Sequence, residues 1–214
     1  MAEEYKTIEY KGKVVFHKMK VSSPERDLKP FQENEACFIF VNKGEFSVRS
    51  PNQFISFKKN QGLLAKCVNF FIETSKKQRQ REKKVDILGV ILFPSHVEEL
   101  MDLKLSNSSK EVDFNIKKLH LDQLFKAYHE SIEVIIENPY LADEQMIETK
   151  IREFVLLISK SQNMTPVDFL SSMFKINPTA FEAIIQNNLY SNLSVIQMAQ
   201  LCSMSTSSFK RKFK

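Results

Sequence analysis

The sequence predicts an α+β protein, in which an N-terminal antiparallel β-barrel or sandwich is followed by an all-α region. Two observations predict this class. From about residue 5 to 94, β-branched and aromatic residues cluster in short runs that are separated by turn residues. After Pro94, apolar residues recur every three or four positions, which is the period of a helix. We therefore expect a β domain over residues 1–94, a helical linker region over 95–175 and a further helical unit over 176–214.

The β region divides into short candidate strands. Turn residues separate several of them, at Lys43-Gly44, Ser50-Pro51-Asn52 and Asn60-Gln61-Gly62. The runs that we interpret as strands are 13–21, 36–42, 45–49, 53–57, 63–73 and 85–93. Many of the chain's 18 phenylalanines fall in this region. We expect them to fill the interior of the β domain, and such an aromatic core needs no ligand to explain it.

Two long amphipathic helices are predicted after a short one over 96–105. The first ends at Asn138-Pro139, and the second spans about 142–161. Their apolar faces consist of Leu121, Leu124, Phe125, Tyr128, Ile132, Ile135 and Ile136, and of Ile147, Ile151, Phe154, Val155 and Ile158. Because one small β domain would not cover two such wide faces, we expect a homodimer through helices in the range 115–161. The alternative is that these faces pack on each other and on the helices that follow.

Three shorter helices close the chain, and each has a start signal. Thr165 supplies an N-cap hydroxyl and Pro166 the first helical position of a helix that ends near residue 174. Asn177-Pro178 opens the next helix, whose buried face is predicted to hold Phe181, Ile184, Ile185 and Leu189. The segment Ser194–Gln197 has the spacing of a capping box, and Ser205 starts the last helix.

Residues 193–214 have the pattern of a helix-turn-helix. A short helix with Ala199 at its centre is followed by a turn at 202–204, and a second helix opens at Ser205 with Phe209 and Phe213 facing the core. The opposite face of that second helix carries Thr206, Ser207, Lys210, Arg211 and Lys214. A recognition helix places its N-terminal side chains at base edges and its cations near phosphates, so these five are the candidate DNA-binding residues.

The same segment resembles the first helix-turn-helix of AraC-type transcription regulators. The matching positions are Leu193, Ser194, Ala199, Ser203, Met204, Ser205, Phe209, Arg211, Phe213 and Lys214. Many members of that family have Gly where this chain has Ser203. The resemblance implies a cupin-like N-terminal domain, with a half-barrel over 35–73, that senses a small-molecule effector or a regulatory protein. It also implies that the paired helices dimerise.

The resemblance further implies roles within the last helix. Ser207, Lys210 and Arg211 would face the bases, whereas Thr206 and Lys214 would lie nearer the DNA backbone. The DNA-binding domain of the family has two helix-turn-helix units joined by a long helix, and this sequence stops inside the first recognition helix. We therefore expect the chain by itself to bind DNA weakly, non-specifically and with strong salt dependence.

Charge is concentrated in two places. Residues 76–84 carry six cations and one anion, and the last five residues carry four cations, within a chain of net charge +5. No aromatic residue interrupts the run at 76–84 to stack on a base. We interpret that run as a basic, solvated loop.

The sequence contains no recognisable catalytic, metal or cofactor motif. None of the histidines, which are His17, His96, His120 and His129, lies between residues 18 and 95, so the ligand set of a metal-dependent cupin is missing. Nucleotide-binding loops and hydrolase motifs are also missing, and we expect no enzyme activity and no cofactor. Three widely spaced cysteines, Cys37, Cys67 and Cys202, and an acidic, polar start favour the cytoplasm. The longest apolar run, 85–93, is too short to span a membrane.

Two functions remain open at this point. The first is a sequence-specific DNA-binding transcription regulator of the AraC type, which dimerises and senses an effector or partner through its N-terminal domain. The alternative is a non-enzymatic, dimerising protein-interaction module whose DNA-binding tail is vestigial.

Overall fold

The computed structural model describes residues 2–22, 25–29, 35–66, 69–81, 84–105, 112, 114–175 and 180–214. Its strands are β1 Ala2–Tyr10, β2 Lys13–Ser22, β3 Arg26–Lys29, β4 Ala36–Lys43, β5 Glu45–Arg49, β6 Phe54–Lys58, β7 Gln61–Ala65, β8 Phe70–Glu73, β9 Lys84–Leu92 and β10 Ile116–His120. Its α-helices are α1 Lys76–Arg81, α2 Pro94–Met101, α3 Gln123–Glu137, α4 Glu144–Ser161, α5 Pro166–Phe174, α6 Phe181–Asn188, α7 Val195–Leu201 and α8 Thr206–Phe213. This composition confirms the predicted α+β class.

The strands form two antiparallel sheets that share one core. The larger sheet has the order β1-β2-β9-β4-β7-β10, and the smaller has the order β3-β8-β5-β6. The larger sheet contributes Phe38 and Phe40 to the core, whereas the smaller contributes Phe46, Phe57 and Phe70, and all five side chains are buried. Phenylalanines therefore make up much of the described core, as predicted, but Phe38 and Phe40 pack against helices α3 and α4 and not between the sheets. Phe54, in contrast, is exposed.

Most predicted strands are present to within one residue at each end, but the run 63–73 is wrong. It divides into β7 and β8, which belong to different sheets, because the chain crosses from one sheet to the other between them. Strand β10 lies in the region predicted to be helical, and it pairs with β7 by placing Ile116 opposite Ala65. Its buried residues, Ile116 and Leu119, are three positions apart, which is a helical spacing and conceals the strand.

The basic run at 76–84 is not a loop throughout, because residues Lys76–Arg81 form helix α1. The reason is local: this stretch contains only Lys, Gln and Arg, which are all good helix formers. The prediction of a solvated loop over the entire run was therefore wrong for these residues.

Helices α3 and α4 bury the apolar faces that the sequence predicted, but they bury them within the chain. Phe125 of α3 stacks on Phe38 of the sheet, and the Tyr128 hydroxyl donates to the Lys150 carbonyl oxygen of α4 at 3.0 Å. Every residue of the two predicted faces is buried except Leu124. These two faces are therefore already buried, because the helices pack on the sheet and on each other. The large apolar side chains that α3 and α4 leave exposed are Leu124, Val134, Met146 and Leu156.

The C-terminal helices begin where the sequence predicts. The side chains of Thr165, Ser194 and Ser205 each accept a backbone hydrogen bond at an N-cap. The predicted start at 177–178 lies outside the described residues. Two expected core residues are exposed, namely Leu189, which follows the last turn of α6, and Phe213, which lies one turn beyond the buried Phe209. Among the helices of the described ranges, none is long and apolar enough to cross a membrane.

Candidate nucleic-acid interface

Helix α7 is fixed by a complete capping box. The Gln197 backbone N–H donates to Ser194 Oγ at 3.2 Å, and the Ser194 backbone N–H donates to Gln197 Oε1 at 2.9 Å. Two backbone donors that would otherwise be unsatisfied are thereby paired. This reciprocal pair defines where the first helix of the helix-turn-helix begins.

The turn between α7 and α8 contains a strained residue. Ser203 has a φ of 53°, which is the left-handed region that favours Gly. The Met204 backbone N–H donates to the Ala199 carbonyl oxygen at 2.9 Å and closes the turn. This is the position where many AraC-type regulators have Gly, so the chain keeps the turn with a serine instead.

Helix α8 has one buried face and one charged face. Phe209 is buried, and its ring lies 5.5 Å from that of Phe181 in α6. Lys212 lies over the same Phe181 ring. The predicted DNA-binding residues occupy the other side, where Thr206 is half-buried and Ser207, Lys210, Arg211 and Lys214 are exposed. Within the described chain, no carboxylate forms an ion pair with the three cations of that set. Their contact with DNA stays a prediction.

Sequence reasoning missed the residues that tie this unit to the β domain. One is Asn69, whose Nδ2 donates to the Gln200 carbonyl oxygen and to Ser203 Oγ, and the other is Arg26. Arg26 of β3 donates from Nη1 to Gln197 Oε1 at 2.9 Å and to the Asn192 carbonyl oxygen at 2.8 Å. Its Nε lies 2.9 Å from Glu73 Oε1, and Arg49 Nε contacts the same oxygen at 2.7 Å. No local pattern marks Arg26, because its partners on α7 are far away in sequence.

Apolar contacts support the same docking. Phe71 of β8, Ile184 of α6 and Leu201 of α7 form a small buried cluster. The surrounding half-buried side chains are Leu28, Leu193, Met198 and Cys202. Burial raises the pKa of the Cys202 thiol, so this cysteine remains a thiol near neutral pH. The smaller sheet is therefore the platform on which the helix-turn-helix rests.

A separate pocket of about 360 Å³ lies between the end of β4 and helix α3. Asn42 holds three residues of one wall together through hydrogen bonds. Its Nδ2 donates to Asp86 and to Glu133 at 3.1 Å each, and its Oδ1 lies 2.7 Å from His129 Nε2. The same pocket is lined by Lys59 and other polar residues.

The histidines are dispersed. His17 and His96 are buried at separate places, His129 faces the α3 pocket, and His120 is exposed. In the part of the chain that the structure describes, no group of His, Cys, Asp or Glu side chains is arranged to hold a metal ion. Cys37 is buried and Cys202 half-buried, whereas Cys67 lies outside the described residues.

A cupin-like β domain, paired helices and a docked helix-turn-helix together define a transcription regulator of the AraC type. The family model of the ExsA N-terminal regulatory domain matches residues 36–169. Because this match covers more than half of the chain, the chain belongs to the ExsA N-terminal regulatory domain family. The resemblance that the last helices indicated is confirmed by this independent match to the preceding region.

Similar solved structures have low identity. Unsaturated-fatty-acid-bound wild-type ToxT from Vibrio cholerae is 12% identical, with a TM-score of 0.48 over 96% of this chain and 75% of that one. Another ToxT structure from the same organism is 10% identical, with a TM-score of 0.44 over 93% and 74%. The cupin domain of Schizosaccharomyces pombe Cnp3 is 9% identical, with a TM-score of 0.35 over 49% and 76%. No curated protein sequence matches the chain.

Proposed function

We propose that this regulator binds DNA sequence-specifically through a DNA-binding domain of which α7 and α8 form the first helix-turn-helix. The observation that carries the proposal is the geometry of α8, which buries Phe209 and presents Ser207, Lys210 and Arg211 to solvent. In this arrangement the three exposed side chains face the bases, and Thr206 and Lys214 contact the backbone. The protein acts in the cytoplasm as a non-enzymatic regulator.

The N-terminal domain is the sensory part of this proposal, and a regulatory protein is the favoured signal. Phe46, Phe57 and Phe70 of the smaller sheet are buried in the described core, which supports a surface-bound partner over a ligand held between the sheets. A small-molecule effector is the second candidate, since the pocket beside His129 and Asn42 is polar and large enough for a metabolite. A thermal-shift screen separates the two, because a ligand that binds only the folded state raises the melting temperature.

Homodimerisation through α3 and α4 is the third part of the proposed function. It now depends on Leu124, Val134, Met146 and Leu156, since the remaining apolar faces are buried within the chain. Light scattering at micromolar protein concentration tests it, with Leu124→Lys combined with Leu156→Lys as the disrupting variant. A monomeric wild-type chain would refute dimerisation.

DNA binding is tested by fluorescence anisotropy with a labelled duplex at several salt concentrations. We expect weak binding by the chain, and we expect Lys210→Ala combined with Arg211→Ala to weaken it further. The matched control is Lys117→Ala with Lys118→Ala, another adjacent pair of exposed cations, which removes the same charge. Equal binding by the two double variants would contradict the proposal and favour an interaction module with a vestigial tail. Nanomolar, sequence-selective binding would contradict the expectation that this chain binds DNA weakly and non-specifically.

A further inference from the structure

The basic helix α1 lies beside the first helix of the helix-turn-helix. Lys76 and Arg79 of α1 line a cleft of about 540 Å³ together with Asn192 and Gln197, which precede and begin α7. Helix α1 starts three residues after Glu73, which anchors the Arg26 contact to Gln197. The position of α1 against α7 is therefore set by the same contacts that dock the helix-turn-helix on the β domain.

The carboxylates of this region pair with Arg79 of α1 but, among the described residues, with neither of its first two lysines. Glu73 is shared by Arg26 and Arg49, so its charge is already compensated. Arg79 donates to the Thr74 carbonyl oxygen at 2.5 Å and lies 3.9 Å from Glu25. Lys76 and Lys77 are exposed, and neither forms an ion pair with a residue in the described ranges. We call these two lysines the α1 lysine pair: Lys76 lines the cleft beside the start of α7, Lys77 follows it on α1, and both are exposed cations without an ion pair in the described ranges.

The composition of α1 favours a phosphate backbone over a membrane. An interfacial membrane helix needs an apolar face to enter the lipid, and Lys76–Arg81 contains no apolar residue. In helix-turn-helix proteins the first helix crosses the DNA backbone, while the second enters the major groove. Lys76, which lies beside the start of α7, is thus next to the helix that passes over the phosphates.

We propose that the α1 lysine pair binds the phosphate backbone of the duplex that α8 engages, so that the N-terminal domain contributes directly to DNA affinity. This inference rests on the proposed function. Phosphate contacts of this kind carry no sequence information. The pair therefore adds the same affinity to every duplex and increases the salt dependence of binding.

The test uses the 214-residue chain and the anisotropy assay between about 50 and 200 mM salt, with two duplexes of unrelated sequence. The variant is Lys76→Ala with Lys77→Ala, in which alanine preserves the helix. The matched control is Lys117→Ala with Lys118→Ala, an adjacent pair of exposed lysines on β10. Two lost phosphate contacts lower the slope of log K against log salt by about 1.8, equally on both duplexes. We expect that reduction in the α1 variant and a smaller change in the control.

The outcomes separate this inference from the proposed function. If the α1 variant behaves like the control while Lys210→Ala with Arg211→Ala weakens binding, the α1 inference is overturned and the proposed function stands. If the wild type does not bind, or the α8 variant binds as well as the wild type, both are overturned. Binding of the wild type, but not of the α1 variant, to phosphatidylserine vesicles, with unchanged DNA binding, would assign the pair to a lipid surface and overturn the inference.

Discussion

Arg26 of the β domain and Gln197 of the helix-turn-helix are joined by a hydrogen bond of 2.9 Å from Nη1 to Oε1. The same Gln197 oxygen accepts the Ser194 backbone N–H of the capping box. This one side-chain oxygen therefore caps the N-terminus of α7 and also connects that helix to the smaller sheet. The N-cap of α7 is thus also a contact between the β domain and the helix-turn-helix.

The first prediction concerns this contact. Arg26→Ala removes a charged donor whose hydrogen bonds contribute about 1.5–3 kcal/mol. We expect amide hydrogen exchange in 193–204 to accelerate about tenfold or more, since 1.4 kcal/mol corresponds to a factor of ten. Arg49→Ala is the control, because Arg49 shares Glu73 but the structure gives it no hydrogen bond to α7. Equal acceleration in both variants would show that the Arg26–Gln197 bond is not what holds α7.

The second prediction concerns the turn at Ser203. A β-branched side chain is strongly disfavoured at its φ of 53°, so we expect Ser203→Val to lower the free energy of unfolding by about 1–2 kcal/mol. Ser203→Gly relieves the backbone strain but loses the hydrogen bond from Asn69 Nδ2 to Ser203 Oγ. We expect its free energy of unfolding to stay within about 0.5 kcal/mol of the wild type. Urea unfolding measures both, and a neutral Val variant would refute the turn geometry.

The third prediction concerns the packing of Gly62 in β7. A Cβ at this position would overlap the Phe38 ring, which is itself packed between other aromatic rings. We expect Gly62→Ala to destabilise the chain by about 1–3 kcal/mol in urea unfolding, through overpacking. Adding Phe38→Leu frees space, so the double variant should lose less than the sum of the two single changes. Strict additivity would contradict the predicted clash.

The fourth prediction concerns pH. His96 is buried between the Tyr10 and Phe93 rings, and burial, reinforced by Lys13 and Lys11, lowers its pKa. The folded state therefore binds a proton less readily than the unfolded state. The resulting stability is complete above about pH 6.5 and is lost as the pH falls towards the lowered pKa. We expect His96→Phe to flatten this part of the stability profile, whereas an unchanged profile would exclude His96 as the source.

Local signals in the sequence were sufficient for the helices that carry the site. Caps at Thr165, Ser194 and Ser205 depend on residues within three positions, so their pattern alone predicted them. Strand β10 was missed because its pairing with β7, and not its own alternation, makes it a strand. The contact of Arg26 with Gln197 was missed because it joins residues distant in sequence that only the packed sheets bring together.

The apolar faces of α3 and α4 show a second limit of prediction from sequence. An amphipathic pattern predicts which residues of a helix are buried, but it does not predict what buries them. Tyr128 and Phe154 were correctly placed on apolar faces, and both lie in the core of the same chain. The choice between an internal and an intermolecular partner depends on the area of the sheet, which the helix pattern does not contain.

The central claim is that α8 of this AraC-type regulator binds DNA while α7 remains docked on the β domain. Its most direct test is an NMR titration of the isotope-labelled chain with a DNA duplex. We predict that amide shifts concentrate in residues 205–214 and that the signals of Phe71 and Gln197 stay those of the docked state. Shifts confined to α3 and α4, or the absence of any shift in α8, would contradict the account.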